Sequence, residues 1–369
     1  MDACLGFDQG DHSKSPVKEI KGDQKLKRLH IAIALIAALA LATFSAATAR
    51  AEKLKVVTTL PHLAYFARQL GGGMVEAVSL AHPQQDPHFV SPKPTLMKAC
   101  RDAVAFVEEG LQLEPWADAV ANGSGNSRIM RGQPGRIIAS AGARVLDLPS
   151  VVSREWGDIH PYGNPHVWLD PLNAKQEIDN IAAGLARVYP AGAQVFEANR
   201  VALRARIDNA LFGPELVKLV GSQKLTRLAF DGQLYNFLAH DSHKGKPLTA
   251  YLGGWLKECQ PLRGRKIIAY HKSWIYFGDR FGLWIRGEVE EKPGIPPGPR
   301  HQRHLIDLMR NERIRTILME NFYDRTVPNY VARETGASLV VVPLEVGGAD
   351  GVDTYFDLIS TILTRLRGS

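Results

Sequence analysis

Cysteine is nearly absent from this chain, with three in 369 residues at Cys4, Cys100 and Cys259. Cys100 and Cys259 lie far apart in helix-like stretches, without metal-ligand spacing, so neither a disulfide framework nor a thiolate cluster is indicated. Strong charge of one sign is missing as well. The formal net charge is +7, spread along the chain, which is ordinary solubility rather than the footprint of a nucleic-acid binder. No internal repeat and no low-complexity tract occurs. No HExxH pair stands anywhere, which removes the helix-borne zinc protease motif.

Only one long apolar run is present, IAIALIAALALATFSAATA at 31–49, preceded by Lys25, Lys27 and Arg28. It ends in small and polar residues rather than a basic stop-transfer cluster, and Ala49-Arg50-Ala51 supplies the small −3 and −1 residues of a cleavage site. This reads as a cleaved secretory signal peptide over residues 1–51, and so as export to the periplasm. No cysteine sits at the cleavage site, which argues against a lipid anchor. The 318 residues left after removing 51 from 369 suit about two domains.

Short β-rich runs alternate with helical patterns in both halves. The strand candidates are LKVVTT (54–59), VEAVSL (75–80), AVAFV (103–107), KIIAY (266–270), TILM (316–319) and SLVVV (338–342). That order predicts parallel sheets built from βα units. Between the two series lies a helical region, roughly 173–259, divided by Pro190, which ends one helix and suits the first turn of the next. In 191–211, Phe196, Leu203, Ile207 and Leu211 share one face. We expect an α/β protein of two lobes with parallel sheets, joined by a long rigid helix. Residues 52–189 form the N-terminal lobe, 190–262 the linking helix with a helical insertion, and 263–369 the C-terminal lobe.

Ten histidines follow residue 51, and context must choose among them. His88 lies in the proline-fixed loop QQDPHFVSPKP after the second strand candidate. His166 lies in HPYGNPHVWLDP, again between prolines, and His271 immediately follows KIIAY. Ligands of open parallel sheets bind beyond the carboxyl ends of strands, where His88 and His271 stand, one in each lobe. Three neutral imidazoles plus an oxygen suit tetrahedral zinc. Strand-end carboxylates in the second lobe, Glu345 after SLVVVPL and Glu320 after TILM, offer that oxygen. Asp86 reads as a loop cap or an acceptor that orients an imidazole, and Trp116 of EEGLQLEPW as packing beside the cleft. His240 and His243 read as loop residues, and the i, i+3 pair His301 and His304 as a solvated helical pair.

The segments TTLPHLAYFARQLGGGMVEAVSL, DPHFVSPKP, EEGLQLEPW, GNPHVWLDPLNA, AYHKSWIYFGDRFGL, EKPGIPPGPRH and ARETGASLVVVPLEVGG cover most of 54–365. In that order they resemble the cluster A-I, TroA-like solute-binding proteins, the zinc and manganese receptors of bacterial ABC importers. The resemblance implies two α/β lobes on a rigid helix with one divalent metal clamped between them. It also implies a partner permease with its ATPase, a monomer, and no enzymatic activity. His88 and His166 match the ligands of the first lobe and His271 the third. Many members place an aspartate after the last strand, where this chain has Pro343-Leu344-Glu345. Glu345 is therefore the expected fourth ligand, with His160, Glu320 or water as substitutes.

Zinc is expected over manganese because manganese prefers more oxygen donors. The long His- and acid-rich loop of many zinc-type relatives is missing between 117 and 159. The competing class is a secreted zinc-dependent hydrolase, which needs a general base beside a metal-bound water. No glutamate adjoins a proposed ligand in sequence. A receptor for a larger ligand such as haem would need a wide, aromatic or Arg-lined site.

Overall fold

The computed structural model describes residues 29–31, 33, 53–149, 160–290 and 294–369. The signal-peptide expectation falls almost wholly outside these residues. Among those described, no helix is long and apolar enough to cross a membrane.

The chain from Lys53 onward forms one compact unit containing two parallel sheets. In the first, β1 (Leu54–Thr58) pairs with β2 (Val75–Ser79) on one side and β3 (Ala105–Glu108) on the other, and β4 (Arg136–Ile138) lies outside β3. A two-stranded hairpin, β5 (Ser242–His243) with β6 (Lys246–Pro247), stands apart. The second sheet has the order β10-β9-β7-β8, from Ser338–Val342, Thr316–Glu320, Lys266–Ala269 and Trp284–Glu288. All six expected strands are present, within two residues at their ends. Two edge strands were not foreseen. β4 has only three residues, and β8 (WIRGE) carries Arg, Gly and a largely exposed Trp284, so neither reads as a buried apolar run.

Helix α1 (Pro61–Gly71) follows β1 through Pro61, whose fixed φ suits a first turn. Helices α2 (Pro94–Cys100) and α3 (Ala117–Gly123) flank the next two strands. Asp170 caps α4 (Pro171–Val188), accepting the Leu172 N–H at 2.9 Å. Pro190 breaks the chain there, and α5 (Ala193–Phe212) begins within three residues. On α5 the expected face, Phe196, Leu203, Ile207 and Leu211, is buried against α1 and α4. Three short helices follow, α6 (Pro214–Val220), α7 (Ser222–Phe230) and α8 (Leu234–His240), leading into the hairpin. α9 (Gly254–Glu258) packs back on α5 and feeds β7. The second sheet is completed by α10 (Ile275–Phe281), α11 (Pro299–Glu312), α12 (Thr326–Thr335) and α13 (Tyr355–Arg367).

One apolar core runs from Val56 and Phe106 through Trp168 and Leu203 to Val342 and Leu363, so both sheets and α5 share it. A smaller cluster around Ile268, Ile317 and Met309 fills the outer face of the second sheet. A buried ion pair reinforces the junction: Arg280 of α10 donates to both oxygens of Asp170 at 2.7 and 2.8 Å. The pairing is bidentate and charge-assisted. It ties the entry of α4 to the second sheet.

Candidate metal centre

The loop after β2 carries Asp86-Pro87-His88, and the segment before α4 carries Asn164-Pro165-His166. Both use one local device. The Asx side chain two residues earlier accepts the histidine backbone N–H at 3.0 Å in each case. The same oxygen meets the ring Nδ1, at 2.7 Å for His88 and 3.1 Å for His166. The intervening proline limits the conformations the tripeptide must lose. His271 follows β7 and receives an equivalent partner from afar, its Nδ1 lying 2.5 Å from Glu290 beyond β8. With Nδ1 occupied, each ring keeps Nε2 for a metal, the arrangement in which an outer acceptor fixes tautomer and orientation.

These three buried histidines bring one ligand atom apiece within 4.8 Å of one another. Ring centroids are 5.3 Å apart for His88–His166 and His88–His271, and 5.6 Å for His166–His271. Nε2 of His166 is buried and has no hydrogen-bond partner. A fourth imidazole joins them: Nε2 of His160 lies 3.2 Å from Nε2 of His88. Two zinc-bound nitrogens in a tetrahedron stand about 3.3 Å apart. His160 is half-buried and lines a cavity of about 590 Å³ with Gln112, Glu114 and Tyr162. Burial and the neighbouring His88 and His271 push His160 down to about 3. Burial, then His88, His271 and His160, hold His166 well below the usual imidazole range. Both rings are therefore neutral, the form that coordinates metal.

Outer partners cross between the lobes. Tyr323, beyond β9, donates to the second oxygen of Asp86 at 2.9 Å. Burial would raise the Asp86 carboxyl, but the His88 and Tyr323 hydrogen bonds outweigh it and hold it below its ordinary value. Asn164 donates to the Lys272 carbonyl at 2.8 Å and accepts Tyr276 Oη on its own carbonyl at 2.5 Å. Trp116 Nε1 holds the Pro87 carbonyl at 2.8 Å, which pins the His88 loop. Asp86 thus orients an imidazole, as its position before His88 suggested. Asn164 and Glu290 were missed. The repeated Asx-Pro-His pattern was a signal for Asn164; nothing local pointed to Glu290, because its contact depends on how β7 and β8 pair.

Glu345 is not among the residues brought together here. Its carboxylate lies 3.0 Å from both the backbone N–H and the Nδ1 of His62, on the first turn of α1. The expected fourth ligand is thus engaged with His62, and the group formed by His88, His166 and His271 does not include it. Glu320 is fully buried facing Ser273 and Trp274, with burial pushing its carboxyl up to about 8. His240 bonds the Asn236 carbonyl and His301 the Glu288 carbonyl.

A family model described as zinc-uptake complex component A, periplasmic (ZnuA) matches residues 56–211 and 248–368. The stretch between the two matched segments carries α6 to α8 and the hairpin. The chain is 25% identical over 325 residues to the iron-binding protein YfeA of Yersinia pestis, covering 86% of this chain and 87% of that one. It is 27% identical to the zinc-binding lipoprotein AdcA of Streptococcus pneumoniae over 73% of this chain but 54% of that longer protein. Among solved structures, a crystal structure of ZnuA superposes with a TM-score of 0.62 at 23% identity, covering 85% of this chain and 98% of the other. A manganese-bound periplasmic metal-binding protein from Candidatus Liberibacter asiaticus gives 0.60 at 20% identity over the same shares. At those identities the structures speak for the fold alone.

Proposed function

This chain belongs to the ZnuA family of zinc-uptake components, and we propose that it is an exported receptor which captures one divalent transition metal and hands it to an ABC permease driven by its ATPase. The observation that carries the reading is the convergence of four imidazoles, each of the three most buried held through Nδ1 so that Nε2 faces the others. His88, His166 and His271 are the core ligands, and His160 replaces Glu345 as the fourth. A four-nitrogen shell favours zinc over manganese, whose preference is for oxygen. The metal is cargo, so the site must release as well as bind. His160 supports that role, because it is the least buried ligand and borders the open cavity.

A hydrolase fits less well. It would keep an open metal position and a free carboxylate as base. Here the neighbouring carboxylates Asp86 and Glu290 are bonded to the Nδ1 atoms of His88 and His271. Competition titration of the mature chain with zinc and manganese against a metallochromic chelator tests the reading. Tight zinc binding, lost in His88→Ala, His166→Ala and His271→Ala, is the expected result. Affinity unchanged by all three would overturn it.

A further inference from the structure

Beneath the histidine cage lies a second cluster of chemically active groups, which transport does not use. His62 of α1, Glu109 just after β3 and Glu177 of α4 are fully buried, and Glu345 after β10 reaches them from the other lobe. Nε2 of His62 lies 3.2 Å from Glu109 Oε2 and 3.6 Å from Glu177 Oε2. One ligand atom from each of the three lies within 4.8 Å of the others. We propose that His62, Glu109 and Glu177 form a second, closed site for a divalent transition metal, with Glu345 orienting His62.

Three observations converge on this. First, His62 is held as His88 and His271 are: Nδ1 rests on a carboxylate 3.0 Å away, and Nε2 is turned toward other ligand atoms. Second, both oxygens of Glu177 and Oε1 of Glu109 are buried and receive no hydrogen bond. Buried polar groups are costly when left unsatisfied, and more so when charged. A cation satisfies all three oxygens together, whereas a single proton shared between the two carboxyls leaves others bare. Third, the 3.2 and 3.6 Å separations bracket the edge of about 3.4 Å expected for ligands held at about 2.1 Å around a tetrahedral ion.

Burial alone would lower His62, yet Glu345 and Glu109 push it up to about 9; burial and then Glu177 hold Glu109 well above the carboxylate range, and burial and then Glu345 do the same for Glu177 against a hydrogen bond with Glu109. One imidazole and two carboxylates is a harder set than four imidazoles, so manganese competes better with zinc here than above. Trp168 links the two levels, stacked on His62 at 4.6 Å and lying 5.3 Å from His166. Because the site is closed, it fills as the chain folds and exchanges slowly.

The test uses the mature chain refolded in excess Zn²⁺ or Mn²⁺, dialysed, and measured for metal per chain by elemental analysis. The intact protein should retain about two equivalents. The variant His88→Ala/His166→Ala/His271→Ala should retain about one, which Glu177→Gln added to it should abolish while circular dichroism stays native. If the triple variant does not fold, Glu177→Gln alone in the intact protein should lower retention from about two to about one. A folded triple variant that keeps no metal, or Glu177→Gln with unchanged metal content and higher thermal stability, overturns the second site in favour of shared protons. Loss confined to the histidine variants bears on the transport cage alone, so the two readings fail separately.

Discussion

On the proposed ligation, removing the imidazole of His88, His166 or His271 deletes one of about four bonds to the cargo ion, and each ring is too buried for solvent to replace it freely. Affinity should fall by more than the roughly 10–100-fold typical of losing an outer partner. His160→Ala should cost less, about 10-fold, because a water can enter from the adjoining cavity and take a fourth position. The same change at His240 or His304 should leave titration curves unmoved. Asn164→Ala separates orientation from ligation. It touches no metal, yet it frees Nδ1 of His166 and the backbone N–H that fix the ring, so a loss of about 10–100-fold is expected. An Asn164→Ala protein binding zinc as the parent does would mean that the tripeptide backbone alone sets the ligand.

At the scale of elements, the join between α4 and α10 rests on a buried charge pair rather than on apolar packing alone. Breaking such a pair strands one charge, at about 3–5 kcal/mol. Arg280→Met should therefore lower the denaturant midpoint markedly with little change in slope. Asp170→Asn/Arg280→Met should recover part of the loss, since the stranded carboxylate is gone. These elements were partly legible beforehand. The six apolar strands and the buried stripe of α5 carried their own periodicity, and Pro190 marked the break. Edge strands β4 and β8 did not, because a strand paired on one side only needs no continuous apolar run. That His88, His166 and His271 come together was readable because prolines and strand ends fix them locally. The partner of Glu345 was not readable, because a carboxylate after the last strand can reach either the cage or α1, and its contact with His62 depends on tertiary packing.

Across the whole molecule, metal binding, lobe closure and protonation are one linked equilibrium. Tyr323, Tyr276 and Lys272 of the second lobe hold Asp86 and Asn164 of the first, so opening the cleft would loosen the rings that the first lobe contributes. The ion in turn binds the folded form, and should raise its stability by about 2.7 kcal/mol at a hundredfold excess over Kd. How that increment varies with pH follows from the imidazoles. His160 is pushed down to about 3 and His166 well below its ordinary value. A lowered folded value means the ring stays neutral as pH falls, so neither has a proton to displace when metal arrives at pH 5.5. The unfolded chain, with ordinary histidines near 6.5, does take up protons there. Metal-free and metal-saturated protein should consequently both lose stability below about pH 6.5 from these two groups, in parallel. Glu114 and Glu320, raised to about 7 and about 8, ionise only at higher pH and shift both forms alike. The gap between the two denaturation curves isolates the ligands. Four ordinary imidazoles would close it at about 1.4 kcal/mol per pH unit each. With His160 and His166 silent, chemical denaturation at pH 7.5, 6.5 and 5.5 should show it closing at no more than half that combined slope. A gap that collapses at the full four-proton slope would show that these two rings titrate as free histidines and that burial does not keep the cage ready for metal.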